Sequence, residues 1–166
     1  YEICFIPDND YTRFLRETVE GLQERVRGGS VLFEGKKIGA HDGYPFYTIG
    51  QRRGLNVAVG EPVFVTEIRA GDNTIVVGRK EELRKRRFVA REITMQKYPV
   101  LNEPMRADAK IRYKDPAAPA TLIPRSDGRM LVELDDAKDA VTRGQSTVWY
   151  EGDDVVGGGI IAEVLD

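Results

Sequence analysis

The chain has 166 residues, 41% hydrophobic and 31% charged, with a formal net charge of −2. That balance suits one ordinary folded domain or two small ones and is not that of a disordered or membrane protein; any contact with nucleic acid has to rest on local basic patches. No apolar run approaches the roughly 20 residues that span a bilayer and no signal-peptide pattern is visible, so the expected compartment is the cytoplasm. One Cys and one His exclude an internal disulfide and a Cys/His zinc site.

Residues Tyr1 to Ile6 (YEICFI) are apolar and β-prone around Cys4. A lone cysteine is by default a small buried hydrophobe. No cation neighbours it in sequence, so any lowering of its pKa must come from tertiary contacts or a helix N-terminus. The chain opens on Tyr, and Cys4 precedes any folded element, so a longer parent protein is expected. After Pro7, Asp8-Asn9-Asp10 offers N-caps for a helix over about Tyr11 to Arg27. There Tyr11, Phe14, Leu15, Val19, Leu22 and Val26 recur at three- and four-residue steps, and Gly28-Gly29 ends the pattern.

Short strands are predicted at Val31 to Phe33 and Lys37 to Ile38, around the turn Glu34-Gly35-Lys36. Then comes Gly39 to Gly60, GAHDGYPFYTIGQRRGLNVAVG, with five glycines among His41, Tyr44, Phe46, Tyr47 and Gln51-Arg52-Arg53. Glycine at this density marks sharp turns or close backbone approach, and arginines with aromatics on such a backbone suit phosphate and base contacts. The plain alternative is a β-rich loop whose aromatics are core and whose arginines are solvated. Pro62 to Ala70 and Thr74 to Gly78 flank Gly71-Asp72-Asn73, a strong hairpin signal.

Six cations fall within Arg79 to Arg87, which reads as a connector with a domain boundary near residue 86. Beyond it the pattern is nearly all β: Phe88 to Met95, Met105 to Tyr113, Ala120 to Pro124, Met130 to Leu134, Gln145 to Tyr150 and Asp154 to Leu165. Six strands with short loops suggest a small closed barrel. In Met105 to Tyr113 the alternation is clean, with Met105, Ala107, Ala109, Ile111 and Tyr113 on one side. No stretch has the order strand, phosphate-binding glycine loop, helix, and Gly157-Gly158-Gly159 reads as a bulge or close packing within a strand.

Three features together carry a family resemblance: ICFI near the start; G-x-H-x-G followed by YTIGQRRGL; and Arg112-Tyr113 with RGQSTVWYEGDDVVGGGII near the end. In this order and spacing they resemble the central and C-terminal parts of the tRNA-specific 2-thiouridylases, once labelled tRNA (5-methylaminomethyl-2-thiouridylate) methyltransferases. The resemblance implies a mainly β chain: residues 1–10 as a remnant of the catalytic domain, a small α+β central domain over 11–86 with one helix, and a six-stranded barrel over 87–166 like the second domain of elongation factors.

It also implies an ATP- and Mg²⁺-dependent sulfurtransferase. The C2 oxygen of the wobble uridine is adenylated, and persulfide sulfur on Cys4, supplied by a donor protein, replaces it. A second cysteine, which attacks the substrate or resolves the persulfide as a disulfide, and the ATP loop would lie in the catalytic domain, so this segment alone is expected to be inactive. Arg112, Tyr113 and Gln145 are implied to contact tRNA around the anticodon stem-loop, with Arg112 on phosphate, Tyr113 stacking or hydrogen-bonding and Gln145 on backbone or base. Each has a plainer reading: a solvated barrel arginine, a core tyrosine, a turn glutamine. Arg52 and Arg53, with Gln51, are read as structural and tRNA-facing, and His41 as holding the glycine-rich loop. No metal ligands, membrane or DNA partner are expected. The rivals are a non-catalytic RNA-binding or translation-factor-like module with an inert Cys4, and a methyltransferase accessory part.

Overall fold

Asp10 begins the first element, its carboxylate accepting from the Arg13 backbone N–H at 2.9 Å. The computed structural model describes residues 10–113 and 115–165, and these divide into two compact units between Glu82 and Leu83. Cys4 lies outside the described residues. In place of one helix there are two, α1 (Tyr11–Thr18) and α2 (Leu22–Val26). The break is Gly21, which sits at φ 65° in the left-handed region, where glycine carries no steric cost and a helix cannot continue. The apolar spacing in the sequence runs on across the break, and Val26 of α2 is its one buried residue among the two helices.

The first unit is a four-stranded sheet, β1 (Gly29–Phe33), β2 (Lys36–His41), β3 (Phe64–Arg69) and β4 (Thr74–Gly78), in the order β2-β1-β4-β3. β1 and β4 are parallel and the other pairs antiparallel. The expected hairpin is the β3–β4 pair, turned by a 3₁₀ stretch, Ala70–Asp72, and by Asn73 in the left-handed region. Val31, Val65, Ile75 and Val77 form its fully buried centre. The glycine-rich segment folds over this core: Phe46 is buried, and Tyr44, Tyr47, Ile49 and Val57 pack against the cluster. Its aromatics are therefore core residues, as the plain alternative has it. Arg52 and Arg53 are exposed.

The second unit is a closed barrel of β5 (Arg84–Met95), β6 (Met105–Lys110), β7 (Ala118–Pro124), β8 (Met130–Asp139), β9 (Ser146–Glu151) and β10 (Asp154–Val164), in the cyclic order β10-β5-β8-β7-β6-β9. The single Trp, Trp149, fills the interior, with Ala109 directly opposite it across the β6–β9 pair. Small residues facing a large one let a narrow barrel fill without voids. Closure depends on Gly158, where a Cβ would stand 2.6 Å from the Thr147 carbonyl oxygen of β9.

Two sequence expectations change here. Arg84 to Arg87 are the first residues of β5, not a connector, because they pair with the long end of β8. Tyr113 leaves the inward alternation, since β6 ends at Lys110 and the tyrosine is 90% exposed. No helix among the described residues is long and apolar enough to cross a membrane.

Candidate nucleic-acid interface

β6 runs toward one end of the barrel and β9 starts from the same end, with Lys110 opposite Val148 as the last pair between them. Arg112, Tyr113 and Gln145, which extend those strands, therefore share one rim. Arg112 is mostly enclosed, its guanidinium donating to the Asp139 carbonyl at 3.2 Å and standing 3.8 Å from the Asp115 carboxylate. Asp115 also takes Lys138 at 3.3 Å, and Lys138 donates to the Pro116 carbonyl at 2.9 Å. The rim thus holds two cations around one carboxylate. Tyr113 projects into solvent with the Lys110 ammonium 5.8 Å from its ring centroid, at the outer reach of a cation–π contact. An exposed ring beside cations is suited to stacking on an unpaired base near a phosphate.

Gln145 is held by its backbone: its carbonyl accepts from Ile161 N–H at 2.8 Å, and the preceding Gly144 N–H donates to the Ile161 carbonyl at 2.8 Å. Its Oε1 is buried and finds no hydrogen-bond partner among the described residues. A buried acceptor left without a donor is costly to stability.

Arg52 and Arg53 belong to the first unit. Both are exposed, and neither side chain has a partner among the described residues. Gln51 shapes the loop beneath them: its Oε1 accepts from Thr48 N–H and its Nε2 donates to the Arg53 carbonyl, both at 3.0 Å. The loop is pinned to β3 by Gly50 N–H to the Val65 carbonyl (2.8 Å) and Val65 N–H to the Gln51 carbonyl (2.9 Å).

His41 is buried, with Nδ1 accepting from Gly43 N–H at 3.0 Å, so the neutral ring carries its proton on Nε2. Burial lowers its pKa, with the Asn73 carbonyl and Asp42 acting the other way. The ring meets Tyr47 edge-on at 5.2 Å. It is a wedge under the glycine-rich loop. Among the described residues no group of three or more His, Cys, Asp or Glu is placed to hold a metal.

Sequence reasoning missed Asp115, Lys138 and Lys110, which surround the Arg112–Tyr113 pair, and Asn73. The Asn73 side chain donates to the Val26 carbonyl at 2.6 Å and accepts from Tyr44 N–H at 3.2 Å. Its turn position was legible, but its two distant partners depend on sheet topology.

A four-stranded sheet followed by a closed barrel is matched by two domain families. Residues 13–79 match the tRNA methyl transferase PRC-barrel domain, and residues 79–161 match the Aminomethyltransferase beta-barrel domain. The chain is 53% identical over 165 residues to a tRNA-specific 2-thiouridylase MnmA of Salinibacter ruber, covering 99% of this chain and 43% of that protein. Proteins of the same name from Amoebophilus asiaticus and Chlorobaculum tepidum are 48% and 46% identical, over 97% and 98% of this chain and 43% and 45% of theirs. The chain belongs to the tRNA-specific 2-thiouridylase family and corresponds to its central and C-terminal domains. It spans less than half the length of these relatives.

Proposed function

We propose that this chain is the RNA-holding and sulfur-presenting part of a cytoplasmic tRNA 2-thiouridylase. The observation that carries the RNA-holding part is the barrel rim, where a tethered Arg112, an exposed Tyr113 and the unspent acceptor of Gln145 stand together. Arg112 takes a phosphate of the anticodon stem-loop, Tyr113 stacks on a base and Gln145 accepts from a ribose or base donor. Arg52 and Arg53 add sequence-independent phosphate contacts from the first unit. ATP with Mg²⁺ activates the C2 oxygen of the wobble uridine as an adenylate, in the part of the enzyme that the chain does not span. Cys4 accepts sulfur as a persulfide from a donor protein. Its outer sulfur bonds to C2 as AMP leaves, and a second cysteine then takes the inner sulfur as a disulfide, releasing 2-thiouridine. By itself the segment does not catalyse.

Support for the sulfur chemistry is the family membership together with the ICFI motif that carries Cys4. The test is Cys4→Ser in the full-length enzyme: 2-thiouridine formation, read by mass spectrometry of digested tRNA, falls to background while tRNA affinity holds. Unchanged thiolation would leave the non-catalytic RNA-binding module as the better reading. In parallel, replacing Arg112 and Gln145 together weakens tRNA binding and makes its salt dependence shallower.

A further inference from the structure

β5 starts four residues before its apolar pattern does. Between the pairs Lys85↔Lys138 and Arg87↔Glu133 the register shifts, so that Arg86 alone faces residues 134–137 of β8. The bulge leaves carbonyls unpaired, and Arg86 takes two of them, Leu134 at 3.3 Å through Nε and Asp135 at 2.7 Å through Nη2. A guanidinium has five N–H donors, so the rest of this fork is unspent on the bulge. Beside it opens a cavity of about 480 Å³ lined by Arg84, Arg86, Arg87, Glu133, Leu134 and Ala137. Three guanidinium groups thus meet one carboxylate.

Arg87 has an interaction of its own, so the excess rests on Arg84 and on the unspent donors of Arg86. Asp135 is engaged by Arg106 through two bonds of 2.8 and 2.6 Å. Arg84 lies opposite Asp139 in the register, yet its exposed side chain has no ion-pair or hydrogen-bond partner among the described residues. Lys85 faces Lys138 directly, a like-charge pair that disfavours the sheet. Forked guanidinium groups around a recess match the oxygens of a phosphate.

We infer that this cavity is a second backbone-phosphate site for the tRNA, on the same barrel end as Arg112, whose guanidinium is bonded to the Asp139 carbonyl opposite Arg84. The inference rests on the tRNA-binding reading above. It extends the footprint from the β6–β9 side of the rim across β8 to the start of β5.

The test measures binding of a tRNA transcript to the full-length protein between 50 and 200 mM salt, for wild type, Arg84→Gln, Arg84→Lys, Glu133→Gln and Arg112→Gln. Each phosphate contact contributes about 0.7–0.9 to the slope of log affinity against log salt. Arg84→Gln therefore flattens the slope by about that amount, so its affinity falls about threefold less than that of wild type over this range. Arg84→Lys keeps the wild-type slope, and Glu133→Gln, which removes the lone carboxylate of the lining, binds more tightly at 50 mM. A wild-type slope for Arg84→Gln overturns the inference even if Arg112→Gln is weakened, in which case the tRNA reading stands. If Arg112→Gln also binds as wild type, the rim reading itself has failed. Should Arg84→Gln not fold, an unchanged affinity of Glu133→Gln overturns the inference alone.

Discussion

Gly158→Ala is a sharp probe of the barrel because the added methyl has nowhere to go. Its Cβ would lie 2.6 Å from the Thr147 carbonyl oxygen and 3.5 Å from the Val148 Cα, both backbone atoms of β9. Ordinary contact needs nearly an ångström more, and neither strand can swing away, since β10 is also paired with β5. On the other side, Gly157 and Gly159 stand equally close to the Thr94 and Arg91 carbonyls of β5. The strand must separate from β9 and weaken its ladder, a cost of about 1–3 kcal/mol for overpacking against unyielding neighbours. For a unit of this size, that lowers Tm by roughly 4–8 °C per kcal/mol. The assay is thermal unfolding followed by tryptophan emission. The 166-residue chain has one Trp, Trp149, fully buried inside the barrel, so the signal reports this unit. Gly71→Ala, in the first unit with nothing within 4 Å of its Cβ, leaves the tryptophan transition unmoved. A Gly158→Ala transition within about 2 °C of the parent would refute the close-approach argument.

The stability of the first unit falls as pH drops below about 6.5, because burial lowers the His41 pKa beneath its unfolded value of about 6.5 and the unfolded chain then binds the extra proton. The slope is at most about 1.4 kcal/mol per pH unit, and it disappears in His41→Gln; urea midpoints at pH 7.5 and 5.5 check both points. Asn73→Ala loses a donor to the Val26 carbonyl, an acceptor for Tyr44 N–H and a residue type tolerant of φ 51°, costing about 2–3 kcal/mol in urea unfolding. Asn73→Gly restores the backbone part and is milder by about 1 kcal/mol.

Local chemistry was the legible part of the fold. The β4 strand, the Gly71-Asp72-Asn73 hairpin and the six barrel strands follow from alternation and turn residues, which act over a few positions. What failed was decided by distant partners. The apolar spacing of Tyr11 to Val26 cannot reveal that Gly21 adopts a left-handed conformation. Arg84 to Arg87 carry no apolar signal, so only the overlong β8 shows them to be a strand. Tyr113 shares the parity of Ile111 but lies past the end of β6, and parity has no meaning once pairing stops. At the candidate interface, Arg112, Tyr113 and Gln145 were singled out through motif resemblance. Asp115 and Lys138, which surround the arginine, are far apart in sequence and meet only in the folded barrel.

The Gln51 brace has a consequence for kinetics. With its amide joined to Thr48 at one end and Arg53 at the other, the span beneath the two displayed arginines has already surrendered its backbone freedom. A partner meeting them has only two side chains to immobilise, at about 0.5–1.5 kcal/mol each, and no chain to fold. A ligand that bound there would have no loop rearrangement to wait for.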